Sequence, residues 1–349
     1  MKRVAPLCVV QSLTAHMIET DIRGRPSAGR RQPVSLCACW RPLARRRPCF
    51  SDGEPLAALD AVSIGDVRAF QSGLLAESEL EALVCGNVDE AGATSLLRSV
   101  QAALPSAPLP RERRPERRVR RVPLAGATQQ FAVANAAEPN SAFEMHLQVG
   151  SDEADNWLHL LLLSQMIDKA MYAELRTRQQ LGYIVQAGVG ELDGVRALSL
   201  VVQSSVFTPP ALEERVEAFL RLFRGTLSLV SDAELATYRD SLVVALADVD
   251  QRLDSQSARL WRECATRRYD FGRPWRSAGR MRRIGKEGLL QFYDEYVAAG
   301  GAKRRRLSTH VFAQSAAPRK LRVDTLDGQD DYFPALPDRL PPPFGEPQI

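Results

Sequence analysis

The stretch Leu175-Arg-Thr-Arg-Gln-Gln-Leu-Gly-Tyr-Ile-Val185 lies where a helical pattern changes into a strand pattern. From Trp157 up to this stretch, apolar residues recur at spacings of three and four, as on the buried face of an amphipathic helix. Gly182 follows, and glycine is the usual residue for reversing the backbone cheaply after a helix. From Tyr183 the apolar period is two, which is typical of a β-strand. We therefore expect Arg176 and Tyr183 to flank a helix-to-strand turn and to lean over one surface.

The patterns around this turn predict an α+β domain over residues 119–314. Asp193-Gly194 predicts a tight turn between two strands, and Ser231-Asp-Ala-Glu234 predicts a capping box that opens a long helix. The order β-β-α-β-β-α-α-α-β is typical of a largely antiparallel sheet with helices packed on one of its faces. The expected elements are strands near Val122–Ala134 and Phe143–Val149, a helix Asp155–Leu175, strands Tyr183–Val189 and Val195–Ser204, helices after Pro210, from Ser231 toward Trp261 and over Gly285–Val297, and a strand Arg305–Ala313.

The rest of the chain divides into shorter pieces with different compositions. Residues 53–104 predict a helix capped by Ser63, a strand from Leu80 to Val88 and a second helix from Ala91 to Leu104. This piece has too few strands to close a sheet, so we interpret it as the end of another domain. The other pieces are a basic, proline-containing extension over residues 1–52 that we expect to be disordered, a Pro/Arg-rich linker over 105–118 and a polar, Pro-rich tail over 315–349.

Composition narrows the possible classes of protein. The 349 residues are 45% apolar, which is enough for a sizeable core, and no run of 18 apolar residues predicts a membrane-spanning helix. Residues 1–50 carry a net charge of +8 and the remainder carries −4, so we do not expect the globular part to bind a polyanion. Of six cysteines, four lie before residue 50, which is no disulfide framework and indicates a reducing compartment. We predict a cytoplasmic location, while the basic extension leaves mitochondrial or plastid targeting open.

Two local motifs have competing interpretations. The seven arginines between Arg111 and Arg121 could bind nucleic acid, but no aromatic residue is interleaved for base stacking, which favours a solvated linker. Cys37-Ala-Cys39 with Cys49 could suggest a metal knuckle. Its spacing is not Cys-x-x-Cys and no histidine lies nearby, so we predict no metal there.

The central stretch resembles the Leu-Arg-Thr-x-x-Gln-Leu-Gly-Tyr-Ile-Val segment in the fourth and last domain of the pitrilysin/insulysin family of zinc metallopeptidases. The resemblance runs from about Pro55 to Gln314. It implies insulysin-type α/β rolls, with one complete fourth domain and the end of a third, and therefore only the carboxy-terminal half of such an enzyme. Further matching segments are Glu81–Asn87, Ser199–Ser204, Arg215–Leu220, Ser257–Trp261, Tyr269–Phe271 and Gln291–Tyr293.

The resemblance also places the zinc outside this chain. In the family, the first domain binds zinc through His-x-x-Glu-His. The four histidines are His16, His146, His159 and His310, and none of them lies in such a motif. We expect these histidines to be structural residues and not metal ligands. We therefore expect no catalytic residue, metal ligand or cofactor in this chain. Zinc is expected in a missing or partner amino-terminal half, and the chain alone is expected to be inactive.

Arg176 and Tyr183 match the family's pair that reaches across to the peptide substrate beside the metal. Arginine supplies fixed donors to a carbonyl or carboxylate, and tyrosine supplies a phenol donor to developing negative charge. A structural interpretation stays open, in which Arg176 caps a helix and Tyr183 packs in a strand. A second function also stays open, namely a non-catalytic peptide-binding or assembly subunit like the inactive core subunits of processing peptidases. The family's lysine-rich polyanion segment is replaced here by Asp248-Val-Asp-Gln-Arg-Leu253, so we expect no regulation by polyanions there.

Overall fold

A computed structural model describes residues 32–37, 46–47, 58–59, 61–74, 76–104, 106–110, 113, 118–151, 156–248, 250–324, 326 and 331–332. The chain divides into two compact units. One consists of Met1–Arg31 with Phe50–Pro115, and the other of Gln32–Cys49 with Glu116–Ile349. The described residues contain no helix that is both long and apolar enough to cross a lipid bilayer.

The described residues of the first unit include two long helices and a two-stranded ladder. Helix α1 spans Ile64–Leu74, and helix α2 spans Glu90–Ala103. The predicted strand over residues 80–88 is not formed. A short strand at Glu77–Ser78 instead pairs in parallel with Ala107–Pro108. Among the described residues no strand pairs with residues 80–88, and an extended pattern without a partner strand forms no ladder.

The second unit is organised around a mixed five-stranded sheet, in agreement with the predicted α+β class. Strands are numbered in chain order, and β1 to β4 are the short strands Arg46–Arg47, Glu77–Ser78, Ala107–Pro108 and Arg118–Arg120. The five strands of this sheet are β5 at Ala127–Ala132, β6 at Ser141–Gly150, β7 at Ile184–Leu192, β8 at Val195–Ser204 and β9 at Arg306–Phe312. Their order in the sheet is β5-β9-β6-β8-β7, so β5 and β7 are the edge strands. The β5–β9 pair is parallel, and the other pairs are antiparallel.

The β7–β8 connection confirms the predicted turn. Asp193 and Gly194 have φ angles of +45° and +85°, the left-handed values that a two-residue hairpin turn of this kind requires. Glycine adopts such an angle without steric cost, and aspartate is among the residues that tolerate it. The turn therefore sets the register that pairs Ile184 at the start of β7 with Gln203 near the end of β8.

The described part of the second unit also contains six longer helices, a short helix at residues 33–37, one π-helical turn and a 3-10 turn at Gln314–Ala316. The capping box at Ser231 is formed, but the helix it opens does not continue to Trp261. It ends at Ala247, where Asp248 takes an extended conformation, and a new helix begins at Leu253. The sequence pattern also missed one helix. The helices are α3 at Asn156–Met171, α4 at Pro209–Leu229, α5 at Asp232–Ala247, α6 at Leu253–Ala265, α7 at Arg273–Met281, which the pattern missed, and α8 at Lys286–Tyr296.

The main core lies between these helices and one face of the sheet. Alternate residues of β6 and β8 point into it, because side chains alternate between the two faces of a strand. Helix α3 is buried along most of its length against this face. The strand residues of this core are Phe143, Met145, Leu147, Leu198, Leu200 and Val202.

The opposite face of the sheet is covered in part by residues that we expected to be disordered or free. Residues 33–37 form a short helix, and Leu36 and Cys37 pack with Ala142 of β6. In the tail, Val323 pairs with Gln129 of β5. Short strands at 46–47 and 331–332 each pair with Arg118–Arg120. At residues 33–37, burial of Leu36 and Cys37 therefore outweighs the composition of the extension. The remainder of 1–52 and of 327–349 lies outside the described residues.

Candidate functional site

The turn between α3 and β7 is built from a π-helical turn at Tyr172–Arg178. Such widened turns occur frequently at functional sites. The turn is closed by the N–H of Leu181, which donates to the carbonyl of Leu175 at 2.9 Å. The residue that reverses the backbone is Gln180, with a φ of +53°, and not Gly182 as the sequence suggested.

Gly182 is required for a different reason. An added Cβ at this position would lie 1.8 Å from the main-chain oxygen of Gln203, far inside van der Waals contact. Glycine therefore lets the turn lie directly against the backbone of β8. This close approach positions the next residue, Tyr183, at the start of the edge strand β7.

The structure brings Arg176 and Tyr183 together. The guanidinium carbon of Arg176 lies 4.7 Å from the ring centre of Tyr172 and 4.9 Å from that of Tyr183. An N–H of Arg176 also donates to the hydroxyl of Tyr172. Tyr183 is 82% exposed, so its side chain is not packed in the sheet. We call these three residues the Arg–Tyr cluster.

Tyr172 is the member of the cluster that the sequence analysis missed. It precedes Arg176 by four residues, a spacing that places two side chains on the same face of a helix. That spacing could have indicated the contact. The ring and the hydroxyl together hold the guanidinium in place, since both contact it.

The charge of Arg176 is not neutralised by a carboxylate in the part of the chain that the structure describes. The neighbouring Arg178 differs, because it donates to the carboxylate of Glu174 at 2.6 Å. Gln179 donates to the other oxygen of Glu174 at 3.0 Å, so both oxygens of that carboxylate are engaged. Arg176 can therefore offer its remaining N–H groups to a carbonyl or carboxylate from outside the chain.

The histidines have structural partners. His146 bonds through Nδ1 to the Ser199 hydroxyl at 3.0 Å, and His310 bonds through Nε2 to the Glu213 carboxylate at 2.7 Å. His159 stacks on Phe292 with ring centres 5.6 Å apart. His16 lies outside the described residues. Among the residues described, no group of three or more histidine, cysteine, aspartate or glutamate side chains could hold a metal ion.

Glu213 ties helix α4 to strand β9. Burial raises the pKa of Glu213, but hydrogen bonds from His310 and Ser308 and the nearby charge of Arg306 outweigh burial and lower that pKa below its ordinary value. The Ser308 hydroxyl donates at 2.7 Å, and Arg306 forms an ion pair with the same carboxylate. This network stabilises the packing of helix α4 on strand β9. It shares no residue with the Arg–Tyr cluster.

Comparisons with known proteins agree with the resemblance. Residues 162–261 match the family model described as PQQ synthase PqqF-like, C-terminal lobe domain 4. The chain is 28% identical over 279 residues to a nardilysin-like protein of Arabidopsis thaliana, covering 79% of this chain and 27% of that protein. It is 28% identical over 287 residues to the human insulin-degrading enzyme, covering 81% of this chain and 28% of that enzyme.

Solved structures share the fold. The crystal structure of pitrilysin superposes with a TM-score of 0.72 at 19% identity, covering 92% of this chain and 34% of that one. The peptidase M16 inactive domain from Pseudomonas fluorescens superposes with a TM-score of 0.61 at 12% identity, covering 88% of this chain and 72% of that one. The chain spans little more than a quarter of the length of the two curated relatives. The chain is therefore similar to a nardilysin-like protein over 79% of its length and to the insulin-degrading enzyme over 81%, and its residues 162–261 match a C-terminal lobe domain.

Proposed function

We propose that this chain is the carboxy-terminal, non-zinc-binding half of an insulysin-like zinc metalloendopeptidase, in which it forms part of the chamber wall and contacts the peptide substrate. The observation that carries the proposal is the Arg–Tyr cluster. A guanidinium without a carboxylate partner in the described residues is held between two tyrosine rings, beside an exposed phenol. The described residues offer no metal site, so the zinc would be held by an amino-terminal half.

Each residue of the cluster would have a separate role. Arg176 would donate to a carbonyl of the bound peptide, and Tyr172 would keep the guanidinium in the orientation that this requires. Tyr183 would donate a hydrogen bond from its phenol hydroxyl to the negative charge that develops on the reacting carbonyl oxygen. Both groups lie on one rigid turn, which reduces the entropy lost when a peptide binds.

A non-catalytic peptide-binding or assembly subunit is the second candidate function. It is supported by the absence of a metal site in the described residues and by the likeness in fold to the peptidase M16 inactive domain from Pseudomonas fluorescens. The two functions predict different behaviour. A catalytic half would raise peptide hydrolysis when it is mixed with a zinc-bearing half, whereas a binding subunit would bind peptide without changing hydrolysis.

The test of the proposed function is reconstitution with a zinc-bearing amino-terminal half of a homologous peptidase. If activity appears, Arg176→Ala should lower kcat/KM by roughly 10- to 150-fold, since a hydrogen bond to a charged group contributes about 1.5–3 kcal/mol. Tyr183→Phe should lower it by about 10²-fold, because it removes a donor aimed at developing charge. Arg178→Ala is the matched control, since this neighbouring arginine is paired with Glu174 and should leave kcat/KM unchanged.

Stability must be measured on the same variants. Because Tyr183 is exposed, we expect the Tyr183→Phe variant to melt at nearly the same temperature as the wild-type chain. If Arg176→Ala and Tyr183→Phe lower stability while activity per folded molecule stays constant, the cluster is structural and the proposed role is wrong.

A further inference from the structure

A cleft of about 570 Å³ lies at the opposite end of α3 from the Arg–Tyr cluster. Residues from the start of α3, from β7 and β8 near their shared turn, and from helices α5, α6 and α7 line it. We call it the indole cleft, after Trp157 and Trp275 in its wall. Helix α3 contains 16 residues and is therefore about 24 Å long, so Trp157 near its start and Tyr172 just after its end are on the order of 20 Å apart. The indole cleft is thus separate from the cluster.

Two buried polar atoms of residues that line this cleft have no hydrogen-bond partner within the described chain. One is Nη1 of Arg259, and the other is Oε2 of Glu263, a residue that is only 3% exposed. A buried polar atom without a partner destabilises a fold, and such atoms are uncommon in native proteins. A ligand in the cleft would supply the two missing partners, one acceptor and one donor.

The two residues lie on one face of α6 and are held there by other groups. They are four positions apart on the helix, which places their Cβ atoms about 5–6 Å from each other. Arg259 donates through Nε to Asp250 at 2.6 Å, and its guanidinium carbon lies 5.2 Å from the ring centre of Trp275. Oε1 of Glu263 accepts from Nε of Arg273 at 3.0 Å. The site therefore presents one fixed donor and one fixed acceptor side by side.

The charges around the cleft favour a ligand without net charge. The described residues that line it include four carboxylates and four guanidiniums, so their formal charges cancel. Two of these carboxylates, Asp248 and Asp250, come from the segment that separates α5 from α6. An ion leaving water for this cleft would meet like and opposite charges in equal number, which does not repay its lost hydration. The ion pairs formed within the cleft are Arg196–Glu191, Arg259–Asp250 and Arg273–Glu263.

We propose that the indole cleft binds a primary carboxamide, whose oxygen accepts from Nη1 of Arg259 and whose N–H donates to Oε2 of Glu263. A primary carboxamide is neutral, and its oxygen and one of its N–H groups point in the same direction. In a trans peptide group the oxygen and the N–H point in opposite directions, so one such group does not reach two adjacent partners. The volume of the cleft falls within the range of about 300–1,000 Å³ that is usual for small-ligand sites.

The carboxamide could belong to a small free amide or to a glutamine or asparagine side chain of a peptide. The chemistry at Arg259 and Glu263 is the same in both cases. The two indoles add apolar surface for the rest of the ligand. This site does not depend on the proposed function of the Arg–Tyr cluster, since the two sites share no residue.

The first test titrates the wild-type chain with four neutral probes and detects binding by calorimetry. Propionamide represents a free amide, and acetyl-glutamine N-methylamide represents a peptide side chain. N,N-dimethylpropionamide has no N–H, and acetyl-alanine N-methylamide has no primary carboxamide. Losing one hydrogen bond to a charged group should weaken binding by roughly 10- to 150-fold, so the first two probes should bind and each of the last two should bind far more weakly. Tighter binding of the glutamine probe than of propionamide would identify a peptide side chain as the source, and the reverse order a free amide.

The second test places the probes in the cleft by substitution. Arg259→Lys keeps the charge but removes Nη1, and Glu263→Gln keeps the shape but removes the carboxylate. Each variant should bind propionamide roughly 10- to 150-fold more weakly. Arg262→Lys is the matched control, because Arg262 lines the same cleft but is exposed, and it should bind propionamide like the wild-type chain. Arg176→Ala should also leave this binding unchanged, which separates this site from the cluster.

Several outcomes would overturn the proposal. If no probe binds, or if propionamide and its dimethyl derivative bind equally, ordered water is the partner of the two buried atoms and the cleft recognises no carboxamide. If the alanine probe binds as tightly as the glutamine probe, the main chain is recognised instead. Propionamide binding that survives both α6 substitutions would lie elsewhere on the chain. If Glu263→Gln does not fold after losing its ion pair with Arg273, Arg259→Lys and the wild-type probe series decide.

Discussion

Replacing Gly182 by alanine tests whether the close approach of the turn to β8 holds the candidate site in place. The new Cβ would start 1.8 Å from the oxygen of Gln203 and 3.2 Å from the Cα of Ser204. The turn or the backbone of β8 must move by about 1 Å or more to restore ordinary van der Waals contact, since protein interiors have no spare volume for an added atom. Both nearest groups are main chain, so no flexible side chain can move aside.

The expected loss follows from what holds Gln203. It is paired on one side with Ala142 of β6 and on the other with Ile184 of β7, so moving it strains two ladders. An overpacked atom in a well-packed site costs about 1–3 kcal/mol, and each weakened main-chain hydrogen bond adds about 0.5–1.5 kcal/mol. We therefore expect Gly182→Ala to lower the free energy of unfolding by about 3–5 kcal/mol.

The assay is urea unfolding of Gly182→Ala beside a matched variant, Gly188→Ala. Gly188 lies in the edge strand β7, which begins two residues after Gly182, but an added Cβ at Gly188 meets no atom within 4 Å. Its replacement should be neutral or stabilising by up to about 1 kcal/mol, because alanine restricts the unfolded chain. Equal stability of the two variants would refute the reasoning, since both add the same methyl group to a glycine of this edge.

Two further predictions concern pH and metal. Glu213→Gln should lower the free energy of unfolding by about 1.5–3 kcal/mol at pH 7. Because the folded-state pKa of Glu213 lies below its ordinary value of 4.5, this difference should be complete above that pH and disappear as pH falls through the folded-state pKa. Urea unfolding at pH 7, 5, 4 and 3 checks this, and an equal difference at pH 3 and 7 contradicts it. The purified chain should also hold no stoichiometric zinc and cleave no peptide alone. Metal analysis and a fluorogenic assay test this, and chelator-sensitive turnover free of contaminants would contradict the assignment of roles.

Much of the fold could be predicted because it depends on short-range patterns. Each of three correctly predicted features depends on residues that are at most about four positions apart in sequence. They are the apolar spacing of α3, the Asp193-Gly194 turn and the capping box at Ser231. The break at Asp248 was not predicted. The residues before and after Asp248 favour a helix, so the sequence pattern resembles one long helix. The residues between the two helices have only a weak preference against helix, which does not mark the break.

The candidate site divides in the same way. The sequence by itself determined that a helix ends and a strand begins around Gly182, and that Arg176 and Tyr183 lie on either side. Only the tertiary structure decided that Gln180 carries the left-handed angle, and that Gly182 is needed because β8 lies against it. Local patterns specify backbone conformation, whereas a close approach depends on a second strand whose position is set by the whole sheet.

The short segment of residues 32–37 is the feature furthest from sequence prediction. Its composition predicted an unstructured extension, and its contact joins Val34 to Gln203 across 169 residues. A segment of this kind has no periodic pattern of its own, and its order comes from the apolar surface on which it lies. The sequence therefore determined most of the elements and two residues of the cluster, Arg176 and Tyr183, while the packing of distant segments decided which surfaces are open and which are covered.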